Sequence, residues 1–174
     1  AWRAGRADRS FRRPLTAVDV VWLARSSALA ADDVHVDAPV SEAWVFADER
    51  QLTAAIAELI DNARRSGATQ ILIEVEIDHE NVDIIVADDG PGFVPEQRDA
   101  VGQPFIAPPS SDRLGLGLAT VAEFAADLGG SFAVVEPHQS SWTTAVRLSL
   151  PVVDGSAGEL AASEMAVDQA TAQT

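Results

Sequence analysis

The sequence contains neither cysteine nor lysine among its 174 residues. The lack of cysteine excludes disulfides and cysteine-ligated metal sites, and it fits a reducing compartment. The lack of lysine leaves arginine at all 12 basic positions, so any phosphate contact must come from a guanidinium or a backbone N–H. No apolar run approaches the roughly 18 residues that cross a bilayer, and no signal peptide opens the chain. We therefore expect a soluble, cytoplasmic segment. This expectation is compatible with a membrane anchor elsewhere in a longer protein.

Basic residues are also few in total. The formal net charge is −15, from 27 acidic and 12 basic side chains. Such a charge repels nucleic acid and anionic membranes at long range, so we expect neither as a partner of this segment. Hydrophobic residues make up 47% of the chain, which is enough for the core of one domain. The expected partner is a protein or a small ligand.

Composition divides the chain into three parts. Residues 1–13 hold five arginines and little apolar periodicity, which indicates a solvated arm or the end of an upstream element. Residues 14–151 carry the periodic apolar pattern of a folded domain. Residues 152–174 consist largely of small and polar residues, which predicts a disordered tail.

The central part predicts alternating helices and strands. Asp48 begins a capping-box pattern, and the helix it opens is expected to stop before Gly67. Residues 71–77 predict a half-buried strand that is joined by a polar turn to a second strand over 82–88. An amphipathic helix over 118–128 and two further strands follow. This order predicts an α/β fold, a two-layer sandwich in which helices cover one face of a mixed sheet.

The helix after Asp48 has a polar stripe beside its buried face. Glu58 and Asn62 lie four residues apart, so their side chains point the same way and can address one hydrated cation or a water near a phosphate. Arg65 continues this stripe by one turn, within reach of a terminal phosphate. The alternative is that Glu58 and Arg65 are only solvated surface residues.

Asp88 closes a strand of alternating apolar residues, where an unpaired carboxylate is costly and needs a donor. The exocyclic amine of adenine is a suitable donor. Gly90 and Gly92 would let the backbone approach a flat ring with no Cβ in the way. The alternative is an ordinary β-turn in which Asp88 caps local amides.

Residues 90–113 have no sustained periodicity and are too many for an ordinary connection, which indicates a functional lid. Phe105 is either the anchor of this lid on a ligand or simply its apolar pin. Gly115, Leu116 and Gly117 follow the lid and open a helix. Such a sequence suits an amide nest for phosphate, although a flexible hinge has the same pattern.

In this order, the stretches at 58–63, 88–93, 104–105 and 114–118 resemble the N, G1, F and G2 boxes of the GHKL (Bergerat-fold) ATP-binding domains. They are most similar to the catalytic domain of bacterial sensor histidine kinases. The resemblance covers about residues 15–150 and implies a Bergerat fold with a long ATP lid that binds ATP and Mg²⁺. It implies that Glu58 is catalytic, that Asn62 holds Mg²⁺ and that Asp88 binds the adenine amine. The other implied ATP-binding residues are Arg65, Gly90, Gly92, Phe105, Gly115, Leu116, Gly117 and Thr143, with Asn62 counted among them.

Several positions depart from the usual pattern of that family. Glu58 stands where many sensor kinases have Asn, and a carboxylate there is compatible with hydrolysis as well as with kinase chemistry. Arg113 and Leu114 stand where a glycine-rich lead-in is common, and Trp142 replaces the Gly before Thr143. These changes predict a stiffer lid.

The sequence has three histidines, and none lies in the context of a phospho-acceptor. His35 falls in a short strand, His79 in the hairpin turn and His138 in a loop. The resemblance therefore implies a partner: a helical dimerisation and histidine phosphotransfer domain, upstream or in trans, with a response regulator downstream. The leading hypothesis is Mg-ATP binding and transfer of the γ-phosphoryl group to a histidine of that domain. The alternatives are an anti-sigma-factor-like serine kinase and a non-catalytic, nucleotide-gated interaction module.

Overall fold

The computed structural model describes residues 15–29, 31–93 and 116–153. The predicted arm at 1–13, Phe105, Gly115 and the tail from residue 154 lie outside these ranges, as does the lid between 94 and 113. The described helices are α1 (Val20–Ala28), α2 (Glu49–Ser66) and α3 (Leu116–Asp127). The described strands are β1 (Thr16–Asp19), β2 (Val34–Asp37), β3 (Trp44–Ala47), β4 (Ile71–Ile77), β5 (Asn81–Asp88), β6 (Ser131–Val135) and β7 (Thr144–Pro151).

Five of the strands form one mixed sheet in the order β2-β4-β5-β7-β6. The pair β2 and β4 is parallel, and the other neighbours are antiparallel. The three helices pack against one face of this sheet. The prediction of a two-layer α/β sandwich with a mixed sheet is thus confirmed. The largest fully buried side chains between the two layers include Leu52, Ile56, Leu59, Ile71, Ile73, Ile84, Leu148 and Leu150.

Helix α2, which carries the polar stripe, is determined by its local sequence. The Asp48 carboxylate caps the first turn by accepting hydrogen bonds from the backbone N–H groups of Arg50 and Gln51. Gly67 ends the helix with a φ of 96°, a left-handed conformation that glycine adopts at little cost. The predicted start and end of this helix are confirmed.

A second, two-stranded sheet joins β1 to β3 in antiparallel fashion. Strand β1 has no counterpart in the sequence prediction, because it forms by pairing with β3. Asp19, which ends β1, also caps α1 through a hydrogen bond from the N–H of Val21, and it accepts a second one from the N–H of Ala43. Two short elements are therefore joined at one carboxylate.

The outer face of the five-stranded sheet is more covered than the prediction of a half-buried β4 implied. Leu72 and Glu74 on this face are both buried. Trp142, in the connection between β6 and β7, packs against the outer cluster that contains Leu72. His138 of the same connection lies 3.6 Å from Glu74, whose pKa is raised mainly by burial. The connection thus covers part of the face predicted to meet solvent.

The folded domain continues two residues past the predicted boundary at 151. The N–H of Val152 donates to the carbonyl of Glu80, and that of Val153 donates to the carbonyl of Trp44. Val153 is also buried. These residues close the edge between the hairpin and β3, so the predicted tail begins no earlier than residue 154.

Candidate functional site

The polar stripe of α2 contains an ion pair rather than two separate surface charges. Arg65 Nη2 lies 2.6 Å from Glu58 Oε1, two helical turns away. The Glu58 side chain is 23% exposed and that of Arg65 is 41% exposed, so both remain accessible from one side. Asn62 lies between them and is half-buried. The structure therefore brings the three predicted residues together on one helix face.

Helix α3 meets this stripe at Gly117. A Cβ built on Gly117 would overlap Oε1 of Glu58 and lie 2.5 Å from its Cδ. The Glu58 carboxylate thus occupies the space that a side chain at position 117 would fill. Leu116 is the first residue of α3, as the G2 resemblance implied, and Gly115 lies outside the described residues.

Asp88 ends β5 and is only 5% exposed. Its Oδ1 accepts a hydrogen bond from the N–H of Gly90 at 2.9 Å, and the Thr144 hydroxyl also donates to the carboxylate. Burial raises the pKa of Asp88, the nearby Asp89 raises it further, and the two hydrogen bonds oppose the rise. The bond from Gly90 is the local capping that the β-turn alternative described, so the carboxylate does not depend on a ligand for its first donor. Two protein donors hold it, while a carboxylate has about four acceptor sites and so retains capacity for a ligand.

Asp89, the next residue, has a different role. It accepts hydrogen bonds from the N–H groups of Thr69 and Gln70 at 2.7 and 2.9 Å, and from the Thr69 hydroxyl at 2.6 Å. These bonds lower the pKa of Asp89, the Thr69 hydroxyl most of all. Thr69 and Gln70 connect α2 to β4, so Asp89 ties the end of β5 to the end of α2. The sequence analysis assigned Asp88 and gave Asp89 no role.

Gly90 and Gly92 form the turn after β5. A Cβ on Gly90 would stand 2.7 Å from Asp88 Oδ1, so only glycine leaves the side of this carboxylate open. Gly92 has a φ of 83°, and a Cβ there would press on Thr143 at 3.2 Å. The turn therefore needs glycine at both positions because of neighbouring protein atoms, and the approach of a flat ring to it stays a prediction.

Thr143 reaches the site through its backbone, because its N–H donates to the carbonyl of Asp88 at 2.8 Å. The hydroxyl next to the Asp88 carboxylate belongs instead to Thr144, which pairs directly with Asp88 across β5 and β7. Sequence reasoning missed Thr144. Thr143 and Thr144 are adjacent, so their side chains point to opposite sides of the chain. The pairing of Asp88 with Thr144 is the signal that would have identified Thr144.

A groove of about 420 Å³ runs between α2 and α3 from the Glu58–Gly117 contact toward the start of α2. Ala54 and Ala55 of α2 face Val121 and Phe124 of α3 across it. Small side chains on α2 leave this space open. The groove therefore gives access to Glu58 from the side away from Asp88.

Among the described residues, no group of three or more His, Cys, Asp or Glu side chains could hold a metal ion. A metal held by Asn62 would need its other ligands from phosphate and water, which is how Mg²⁺ is commonly bound. The three histidines lie away from this face: His35 bonds to Gln70, His79 is in the β4–β5 turn and His138 faces Glu74 and Glu76. None of the described helices is both long and apolar enough to cross a membrane.

Comparison with known proteins adds to this geometry. The family described as histidine kinase-, DNA gyrase B- and HSP90-like ATPase matches residues 47–154. The histidine-protein kinase/phosphatase MprB of Mycolicibacterium smegmatis is 31% identical over 112 residues, which are 60% of this chain and 23% of MprB. The sensor protein RstB of Escherichia coli is 32% identical over 103 residues, 56% of this chain and 24% of RstB. The chain therefore spans about a quarter of the length of these curated relatives.

Solved structures cover the domain more completely. The ATP-binding domain of PrrB from Mycobacterium tuberculosis superposes with a TM-score of 0.64 at 25% identity, covering 80% of this chain and 98% of that domain. The mycobacterial sensor histidine kinase MprB gives a TM-score of 0.63 at 26% identity, covering 78% of this chain and 97% of that one. The catalytic domain of the histidine kinase ThkA shares the fold at 19% identity, with a TM-score of 0.68. The Bergerat fold implied by the motifs is confirmed.

Proposed function

Because this chain belongs to the family of histidine kinase-, DNA gyrase B- and HSP90-like ATPases, we propose that it binds Mg-ATP and donates the γ-phosphoryl group to a histidine on a helical dimerisation and phosphotransfer domain. That domain lies upstream or acts in trans, and a response regulator receives the phosphate afterwards. The relatives MprB and RstB bear the names of a histidine-protein kinase and a sensor protein. Their names support this choice within the family.

One observation carries the ATP assignment. Asp88 is a buried carboxylate with spare acceptor capacity, and the absence of a Cβ at Gly90 leaves the side of this carboxylate uncovered. Its raised pKa reflects how little solvent compensates its charge. A donor such as the N6 amine of adenine would satisfy it, whereas the O6 carbonyl of guanine would not. The site therefore favours ATP over GTP.

The α2 face would receive the phosphates. Asn62 offers an amide oxygen to Mg²⁺. Arg65 offers a guanidinium to a terminal phosphate once the Arg65 side chain breaks its ion pair with Glu58. Gly90 and Gly92 would lie beside the adenine ring. Leu116 and Gly117 lie at the start of α3, where the N–H groups of a helix N-terminus would meet phosphate. Mg²⁺ would neutralise charge on the phosphate oxygens. In this proposal Phe105 anchors the lid on the nucleotide and Gly115 receives a phosphate.

In the proposed reaction Glu58 acts as the base. One nitrogen of a neutral acceptor imidazole attacks the γ-phosphorus, the bond to the β,γ-bridging oxygen breaks, and ADP leaves with that electron pair. The proton on the other ring nitrogen passes to the Glu58 carboxylate. The groove between α2 and α3 leads to Glu58 from the side opposite Asp88, so an acceptor has a path that the nucleotide does not block.

Transfer in trans tests the proposal. The chain alone, with labelled ATP and Mg²⁺, should gain no acid-labile phosphate, because His35, His79 and His138 lie away from Glu58. Addition of its helical partner domain should place acid-labile phosphate on a histidine there, slowly because no tether raises the effective concentration. Acid-stable phosphoserine on a partner would instead indicate the serine-kinase alternative. ATP binding without transfer to any partner would indicate a nucleotide-gated interaction module.

A further inference from the structure

The carboxylate of Glu58 packs against the α-carbon of Gly117 and leaves no room for a side chain at position 117. A Cβ at position 117 would overlap Glu58 Oε1, would lie 2.5 Å from Cδ and would lie 3.1 Å from Cγ. Real β-carbons essentially never come within 3.0 Å of another heavy atom, and because the atoms met here are the end of a flexible side chain, that side chain would move aside. Any residue other than glycine at 117 would therefore displace the Glu58 carboxylate.

The backbone of Gly117 gives no other reason for glycine. It is the second residue of α3 and has helical geometry. The described glycines with positive φ are Gly67, Gly92 and Gly129, and Gly117 is not one of them. In such a helical position alanine is the better helix former. The requirement for glycine comes from the neighbouring carboxylate and not from the chain conformation.

Arg65 contacts the same oxygen. Its Nη2 lies 2.6 Å from Glu58 Oε1, the atom that occupies the space at Gly117. Attraction from the guanidinium and the gap beside Gly117 together set the position of this oxygen. A Cβ at 117 would fill the gap and push the carboxylate away from this position.

We propose that Gly117 is a positioning residue for Glu58. Because position 117 has no side chain, the Glu58 carboxylate fits into the space beside the Gly117 α-carbon, which we call the seat, and is held there toward the reacting atoms. This inference rests on the proposed function only for the role of Glu58 as the base. It differs from the phosphate-nest reading of the same glycine, in which the backbone N–H of Gly117 contacts ATP and the Cβ is irrelevant. The two readings predict opposite kinetic effects of one added methyl group.

The first test is Gly117→Ala in the chain assayed with its partner domain, ATP and Mg²⁺. The seat predicts that kcat for transfer falls about 10²-fold, the usual effect of misplacing a general base. It also predicts that the Kd for ATP, measured by calorimetry, changes less than about threefold. Ala126→Ser adds one heavy atom at an exposed position of the same helix and should change neither quantity. A loss of ATP affinity with kcat retained would overturn the proposal in favour of the phosphate nest.

The second test needs no activity. Glu58→Ala removes both Cγ and the carboxylate that a Cβ at position 117 would meet. Gly117→Ala should lower the Tm of the chain that has Glu58 and should not lower it in the Glu58→Ala background, a coupling measured by a double-mutant cycle. Equal Tm shifts in both backgrounds would refute the seat.

The melting cycle also separates the two proposals. A chain that transfers no phosphate but shows this coupling would retain the seat and would lose the proposed function. A chain that transfers phosphate without the coupling would keep the function and lose the seat.

Discussion

Replacement of Asp88 by Asn tests adenine recognition with little disturbance of the fold. The amide oxygen of Asn can still accept from the N–H of Gly90, which now bonds to Asp88 Oδ1 at 2.9 Å. The amide nitrogen would point a donor where the carboxylate had an acceptor, and the N6 amine of adenine is itself a donor. The variant therefore loses the base contact and keeps the turn.

The expected loss is about 1.5–3 kcal/mol of ATP binding free energy, the scale of a hydrogen bond to a charged group. At about 1.4 kcal/mol for each tenfold, this corresponds to a rise in Kd of roughly 10- to 150-fold. Calorimetric titration of wild type and Asp88→Asn with ATP and with GTP would measure it. GTP should bind poorly to both proteins.

The pKa of Asp88 adds a pH dependence to this prediction. Burial raises the pKa of Asp88, so the folded protein without nucleotide disfavours the charged carboxylate. That penalty is present above the raised pKa and vanishes below the unfolded value. Asp88→Asn should therefore unfold at the same or a higher temperature than wild type at pH 7, and ATP affinity of wild type should fall as pH decreases through the raised pKa. Equal affinities for ATP and GTP, or an unchanged Kd in the variant, would refute the assignment.

Two further predictions concern α2 and α1. In calorimetry, Asn62→Ala should weaken the binding of Mg-ATP far more than that of metal-free ATP. Glu58→Ala should leave ATP binding nearly intact and slow transfer about 10²-fold. Equal loss of binding in both variants would show that the roles of Asn62 and Glu58 are divided wrongly. Asp19→Ala should cost about 1–2 kcal/mol in urea unfolding, because it removes a helix cap together with the bond to Ala43. Asp48→Ala, which removes a more exposed cap alone, should cost less, and the reverse order would contradict this reasoning.

The parts of the fold that depend on local sequence were predictable. The cap at Asp48, the left-handed end at Gly67 and the β4–β5 hairpin each follow from a few neighbouring residues, and the structure confirms them. Strand β1 was not predictable, because its four residues become a strand only by pairing with β3. The predicted half-exposed face of β4 was wrong for a similar reason, since its cover comes from the distant connection before β7.

The candidate site shows the same division. Motif spacing identified Glu58, Asn62, Arg65 and Asp88, since each lies at a regular place on a helix face or strand end. It did not predict the Glu58–Arg65 ion pair, because neither partner's rotamer follows from its position. The Thr144 hydroxyl and the seat at Gly117 were missed for a different reason. They depend on cross-strand register and on the approach of two helices, and no single motif contains that information.

The bonds of Asp89 determine the spacing within the proposed nucleotide site. Because Asp89 fastens the end of β5 to Thr69 and Gln70 just behind α2, the carboxylate offered to the base and the polar stripe offered to the phosphates belong to one stiff piece. The distance between them therefore selects ligands by the length from the ring to the charged end. Helix α3 is not part of this connection, so we expect a ligand of different length to be accommodated on the α3 side of the site. We expect the distance between Asp88 and the polar stripe of α2 to stay constant when a ligand binds and when it is released.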